Sequence, residues 1–188
     1  MKKIICVYGG PGSGKSTFVA GLYFKLKLLG KSCEMNREYI KDWVWEKRKP
    51  SPGDQTYYFA KQSRKERVYM VAEVDFILTD SPLILTHMYG LKYDFSEREE
   101  NTSKMMLKSH HLICKHYGYK IDHFFLRRTG PYQVQGRNES EIEAKQIDKE
   151  ILSLLDSMNI CYDTIDSTNM EDAVIKTVEK LTLIKEGK

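Results

Sequence analysis

Apolar positions run along this chain in two alternating rhythms, short unbroken blocks and longer stripes at helical spacing. Ile4-Ile5-Cys6-Val7-Tyr8 is an unbroken block ending at Gly9-Gly10, the profile of a central strand buried on both faces. A helix follows, because Phe18, Leu22, Leu26 and Leu29 recur every four and three residues and Gly30 stands where a helix C-terminus favours glycine. Ser32 to Met35 restarts an extended stretch, and the aromatic-rich segment Tyr39 to Trp45 reads as helix. Lys49-Pro50-Ser51-Pro52-Gly53-Asp54 then breaks it, since its prolines and glycine cannot continue a helix. From Gln55 to Glu73 the spacing is helical again, with Tyr58, Gln62 and Lys65 on one face.

Val74 to Thr79 is the third strand candidate and ends in Asp80-Ser81-Pro82. The polar section Lys92 to Lys104 reads as a solvated loop or helix start, Met105 to Tyr117 as helix and Asp122 to Leu126 as a fourth strand. Arg127 to Arg137 contains Gly130, Pro131 and Gly136 and reads as a loop. Asn138-x-x-Glu141 or Ser140-x-x-Glu143 can cap the next helix, whose stripe is Ile147, Ile151, Leu154, Leu155 and Met158. Cys161 to Ile165 is a fifth strand, and Thr168-x-x-Glu171 reads as a capping box before a last helix with Val174, Val178 and Leu181 inward. Five strands alternating with helices predict an α/β fold, a parallel sheet covered by helices on both faces. With no repeat, low-complexity stretch or linker, residues 1–188 are expected to form a single domain.

Composition changes this picture little. The 188 residues are 41% hydrophobic and 30% charged, the balance of a domain with a full core. No run approaches the roughly 18 consecutive apolar residues of a membrane helix, and Met1-Lys2-Lys3 is followed by only five apolar residues before Gly9. The expectation is a cytoplasmic protein with no spanning segment and no membrane partner. A net charge of +4 is too small to imply nucleic-acid binding by itself and suits a phosphate-bearing small molecule equally well. Cys6, Cys33, Cys114 and Cys161 lack a C-x-x-C pair and read as reduced core thiols. The adjacent His110 and His111 cannot point both rings the same way on a helix, so this pair reads as a solvated face.

The strongest chemical signal is Gly9-Gly10-Pro11-Gly12-Ser13-Gly14-Lys15-Ser16, which matches G-x-x-x-x-G-K-[ST] between a buried strand and an amphipathic helix. Glycines let the backbone wrap a phosphate chain with its N–H groups inward, and the helix beginning there adds the positive end of its dipole. Lys15 is placed for the β- and γ-phosphates of ATP, Ser16 for Mg²⁺ and Thr17 for the α-phosphate. The second magnesium anchor of such a loop is normally an acid at the carboxyl end of a neighbouring strand, and Phe76-Ile77-Leu78-Thr79-Asp80 supplies one. Asp80 can equally accept the proton of an attacking hydroxyl, and the sequence leaves both roles open.

The strand–GxxxxGKS–helix opening and the arginine-bearing loop after the fourth strand resemble the P-loop kinases of nucleosides, nucleotides and similar metabolites. Glu38-Tyr39-Ile40-Lys41-Asp42, Asp54-Gln55, Ala60-Lys61-Gln62, Thr79-Asp80-Ser81-Pro82-Leu83 and Gly136-Arg137 with Glu143-Ala144 are similar to a family of small phage-encoded AAA-type ATPases. These are related to the ribosylnicotinamide kinase domain and to deoxynucleoside kinases. The resemblance spans Lys3 to about Asp166 and implies a P-loop NTPase fold with an arginine-bearing lid at about 127–138. It also implies that Glu38 is a base facing the acceptor hydroxyl and that Gln55 or Gln62 meets the acceptor's ring. Those kinases follow the acid after strand three with an arginine, whereas Ser81 follows Asp80 here, and Arg37 is the candidate substitute.

Cations are what the lid chemistry asks for, since the transferring phosphoryl group spreads negative charge over its oxygens, and Arg127, Arg128 and Arg137 are the candidates. Trp43, Trp45, Tyr57 and Tyr58 either line an acceptor pocket or belong to the core. Lys47, Arg48, Lys49, Lys61, Arg64, Lys65 and Arg67 either form a solvated basic face or track a nucleic-acid backbone. The expected activity is an ATP- and Mg²⁺-dependent phosphotransfer to a nucleoside, nucleotide or related small molecule. Its rivals are a polynucleotide 5′-kinase, for which Met35-Asn36-Arg37-Glu38 is a loose match, and a nucleotide-dependent binding switch without transfer.

Overall fold

Alternate residues of the first strand, β1 (Lys3–Tyr8), feed two different cores. Ile5 and Val7 point to one face of the sheet, Ile4, Cys6 and Tyr8 to the other, and all five are buried. A strand so placed has to be apolar without interruption, as this one is. The computed structural model describes residues 2–48, 51, 53–93, 97–132, 135 and 139–183, apart from the side chains of Val44, Tyr93, Glu97, Arg98 and Glu99.

The sheet consists of β1, β2 (Cys33–Asn36), β3 (Phe76–Thr79), β4 (Lys120–Arg127) and β5 (Asp163–Asp166) in the order β2-β3-β1-β4-β5, all parallel. The registers that matter for the site are Cys6 opposite Thr79 and Tyr8 opposite Phe125. On one face α1 (Lys15–Leu28) and α7 (Met170–Thr182) pack together through Phe18, Leu22, Leu26, Val174 and Val178. On the other face lie α3 (Asp54–Val71), α4 (Leu83–Tyr93), α5 (Glu97–His116) and α6 (Glu141–Ser157), which contribute Met70, Met88, Cys114, Ile147, Ile151 and Leu155. A short helix, α2 (Lys41–Trp45), follows β2. The chain builds β2 and β3 on one side of β1 and then crosses to β4 and β5 on the other. The carboxyl end of β1 therefore opens at the reversal point, where parallel α/β sheets bind ligands. Among the described residues no helix is long and apolar enough to cross a membrane.

Several expectations are corrected. The stretch after Pro82, for which no element was expected, forms α4, and the helix expected from Met105 already starts at Glu97, inside the section read as loop or helix start. The last helix is capped by Asn169, whose side chain accepts from the Asp172 N–H at 3.1 Å, while Thr168 turns its hydroxyl to Asp166, so the Thr168 capping box does not form. Ser140 with Glu143 is the capping box that does form, at the start of α6. Cys161 is exposed ahead of β5, so only Cys6, Cys33 and Cys114 are core thiols. His110 is buried, in contrast to the solvated face expected for the histidine pair.

Candidate active site

At the carboxyl end of β1 the backbone turns through Gly9, Gly12 and Gly14, whose φ values of +145°, +74° and +95° are open only to glycine without strain. Space requires glycine too. A Cβ on Gly10 would lie 2.5 Å from the Ala144 carbonyl oxygen, and one on Gly12 would lie 2.9 Å from the Tyr132 ring. The turn delivers Lys15 to the first residue of α1, a helix whose N-terminus has no side-chain cap. Its leading N–H groups are thus left for a ligand, with the positive end of the helix dipole behind them. The Lys15 ammonium folds back onto the Gly9 and Gly10 carbonyl oxygens at 2.6 and 3.0 Å. Ser13 is buried and its Oγ has no partner, whereas Ser16 and Thr17 are exposed at the helix start and Pro11 is half-buried.

Asp80 follows β3, the direct neighbour of β1, and the parallel register brings it alongside the loop. The Ser16 hydroxyl donates to Asp80 Oδ2 at 2.5 Å, and the Glu38 backbone N–H donates to Oδ1 at 3.2 Å. One carboxylate therefore joins the phosphate loop to the segment after β2. Glu38 and Arg37 line a cavity of about 260 Å³ together with Asn36, Gln62, Lys41 and Lys65. Of the residues expected at the acceptor, the structure brings Arg37, Glu38 and Gln62 together there. Gln55 instead lies under α4, its Cβ 3.8 Å from the place a Cβ on Gly90 would take. Tyr58 is buried in an aromatic cluster with Trp43, their rings 5.2 Å apart and edge to face. Trp45 and Tyr57 are exposed.

Across the loop stands Arg128, just past β4. Its Nε donates to Asp148 Oδ2 at 3.0 Å, while the other oxygen of Asp148 accepts the Gly10 N–H at 2.5 Å. The Arg128 side chain is only 9% exposed and packs over the Tyr132 ring, yet its Nη1 and Nη2 have no partner among the described residues. A Cβ on Gly12 would sit 3.4 Å from Nη1, and one on Gly10 3.2 Å from Nη2, so both nitrogens flank the loop. Leaving two buried guanidinium donors without acceptors is costly, and an anion against the loop would satisfy both. Arg127, by contrast, is exposed, and Arg137 lies outside the described residues.

A second network underlies the acceptor side. Glu66, 1% exposed on α3, accepts from Asn36 Nδ2 at 3.1 Å and meets His110 Nε2 of α5 at 2.7 Å. Burial alone would lower the His110 pKa, but hydrogen bonds to Cys114 and Glu66 and the Glu66 charge override it and raise the value to about 10. Asn36 Nδ2 also donates to the Gln62 carbonyl at 3.2 Å, and Gln62 Nε2 donates to the Ser81 carbonyl at 2.6 Å. The reading of the residues missed Asp148, Asn36, Glu66 and His110. A faint signal existed, since Gln62 and Glu66 stand four apart on the stripe that leads to Met70, and polar residues on a buried stripe are there for a partner.

A family model described as an AAA domain matches residues 4–173. The chain belongs to that AAA family. Its P-loop NTPase fold is shared with solved structures of low identity. The NadR protein in complex with NR superposes with a TM-score of 0.66 at 13% identity, over 100% of this chain and 53% of the other. This chain thus spans about half the length of that protein. Deoxyadenosine kinase from M. mycoides with bound dATP gives a TM-score of 0.61 at 16% identity, over 95% and 98% of the two chains. The protein APE1195 gives 0.52 at 14%, over 98% and 97%. No curated protein matches the sequence.

Proposed function

We propose that this protein transfers the γ-phosphoryl group of ATP to a nucleoside, nucleotide or related small acceptor. The observation that carries the reading is Arg128, whose two unpartnered and buried guanidinium nitrogens flank the glycine loop beside Lys15. Lys15 and the first N–H groups of α1 bind the phosphate chain, and Arg128 adds a planar fork for the charge that spreads during transfer. The acceptor sits in the cavity next to Glu38. Its hydroxyl or phosphate oxygen bonds to the γ-phosphorus, the bond from that phosphorus to the β–γ bridging oxygen breaks and ADP leaves; where the acceptor is a hydroxyl, its proton passes to the Glu38 carboxylate. Ser16 and Asp80 suit a magnesium ion, which takes one or two protein oxygens and fills its shell with phosphate oxygens and water. When bound, that ion supplies neutralising charge to the phosphates. Residues 127–138 are assigned as the lid that carries the arginines.

Incubation with γ-labelled ATP and a panel of nucleosides, nucleotides and ribosylnicotinamide is the test. Label on an acceptor, abolished by Lys15→Ala, is the expected result. Release of free phosphate with no acceptor labelled would overturn the reading.

A further inference from the structure

The residues that line the cavity beside Glu38 say what kind of acceptor it takes. Four of them are cations: Arg37, Lys41, Lys61 and Lys65. Among the described residues, none of the four lies within ion-pair distance of a carboxylate, although the structure pairs lysines elsewhere, such as Lys3 with Asp122 and Lys180 with Asp163. Lys61 instead rests over the Tyr57 ring, 5.1 Å from its centroid. The lining carboxylates are Glu38, at the reacting end, and Asp42. Four cations around one small cavity give it a positive potential, which favours an anionic ligand there.

The floor makes a different demand. Asn36 is fully buried and lines the cavity, and its Oδ1 has no partner. The orientation of this amide is fixed by what surrounds it. Nδ2 faces the Glu66 carboxylate and the Gln62 carbonyl, both acceptors, so the oxygen is the atom left over. His110 holds Glu66 from the far side, which locks the carboxylate that locks Asn36. A ligand satisfies Asn36 by offering an N–H or O–H donor, as a base or a sugar does. A phosphate monoester carries about −1.5 to −2 charge at neutral pH and three acceptor oxygens, enough for several of the cations at once. The volume of about 260 Å³ is on the scale of one small molecule.

We propose that this cavity takes a phosphate-bearing small acceptor, a nucleoside monophosphate, whose phosphate is held by Arg37, Lys41, Lys61 and Lys65 and whose hydrogen-bond donor is read by Asn36. The word acceptor rests on the phosphotransferase reading above; the binding preference does not. Whether the phosphate is at the 5′ position, where its own oxygen receives the phosphoryl group, or at the 3′ position, leaving a 5′ hydroxyl to react, is for the test to separate.

The test is a calorimetric titration of the full chain, holding Mg²⁺ and a non-hydrolysable ATP analogue, with ribonucleosides and with their 5′- and 3′-monophosphates. A monophosphate is expected to bind at least about tenfold more tightly than its parent nucleoside at low salt, with the gap narrowing as salt rises. Lys61→Gln/Lys65→Gln changes two exposed side chains and so leaves folding intact. It is expected to erase most of that gap while affinity for the ATP analogue stays the same. Lys31→Gln/Lys176→Gln removes the same charge from exposed positions outside the cavity lining and is expected to change neither. Three results would overturn the proposal: nucleosides binding as tightly as monophosphates, an unchanged gap in the Lys61/Lys65 variant, or a single-stranded oligonucleotide outcompeting every monophosphate. Label transfer in parallel separates the two readings. Monophosphate binding without transfer sinks the phosphotransferase and leaves the cavity assignment standing. Efficient transfer to a neutral nucleoside that outbinds its monophosphate does the reverse.

Discussion

Asp148 spends both oxygens on the phosphate loop's surroundings, one on the Gly10 N–H and one on Arg128 Nε. A charged acceptor shared this way fixes the guanidinium plane, and it leaves Nη1 and Nη2 facing the loop. Asp148→Asn keeps the shape but replaces one oxygen by a donor, which faces either Gly10 N–H or Arg128 Nε. The expected stability loss is about 2 kcal/mol, at the low end for breaking a mostly buried pair, seen as a lower urea midpoint. Because Asp148 positions Arg128, turnover is expected to fall about tenfold or more, with a smaller rise in KM for ATP, since the Arg128 contact to the phosphates is weakened and not removed. Asp148→Glu should recover part of the turnover, which a purely structural role would not predict. Lys15 and the glycines were legible in the sequence because the loop's logic is local, eight consecutive residues between a strand and a helix. Asp148 was not legible, because its partner Gly10 stands 138 positions away and α6 shows only an ordinary amphipathic spacing. Thiol chemistry offers a second check at this scale. Cys161 is exposed, while burial pushes the Cys6 thiol up strongly and the Cys33 thiol to about 11. One thiol per native chain should react with Ellman's reagent within minutes, and the other three only after unfolding.

Helix α5 shows how one element can be read correctly and still be placed wrongly. Adjacent residues on a helix point about 100° apart, so His110 and His111 cannot face the same way. Which of them turns inward is decided by α3, where Glu66 waits 44 positions upstream. For α4 a start signal was present, since Ser81 and Pro82 stand where an N-cap and a first helical turn favour them, but the apolar run behind them shows no single stripe. The buried histidines give the protein a pH signature of opposite signs on its two sides. His110, raised to about 10, is protonated in the native state while its unfolded counterpart near 6.5 is not. Its contribution is complete below pH 6.5 and disappears as pH rises towards 10. His123 sits on β4 against the Tyr8 hydroxyl at 2.9 Å, and burial lowers it to about 4 against a small opposing effect of Asp122. Unfolding then takes up a proton between pH 6.5 and 4, so stability falls through that window by up to about 3 kcal/mol. Urea midpoints at pH 4, 5, 6.5 and 9.5 should trace a maximum near neutrality. His110→Leu should flatten the alkaline limb and, by leaving Glu66 buried without its partner, cost about 3 kcal/mol at pH 7. His123→Leu should shrink the acid limb and leave the alkaline one, the remainder of the acid limb belonging to His87, which burial also holds below the usual histidine value.

At the scale of the whole molecule, the alternation of five blocks and helical stripes was enough for a parallel α/β fold, but not for the order β2-β3-β1-β4-β5, which depends on pairings between strands tens of residues apart. That order is what makes the site. It sets Asp80 of the β3 end and Arg128 of the β4 end on opposite sides of the β1 loop, so on the proposed reading a bound phosphate chain adds a link between three strand ends already joined by Ser16–Asp80 and by Asp148 with Gly10 and Arg128. A ligand held by three separate elements of the native state and by none of the unfolded chain must stabilise the fold by mass action. At a free concentration about one hundred times its Kd the gain is about 2.7 kcal/mol. For a domain of this size that corresponds to a rise in melting temperature of roughly 5 °C or more. A non-hydrolysable ATP analogue with Mg²⁺ should produce this rise in the wild-type chain. Lys15→Ala should abolish it at every concentration. Arg128→Ala should show a smaller rise at each concentration, the same curve displaced to higher analogue concentration, because the helix N-terminus and Lys15 still bind while the β4 contact is lost. A full rise in Arg128→Ala would mean that the two buried guanidinium nitrogens do not reach the nucleotide, and the lid assignment would then have to move elsewhere in residues 127–138.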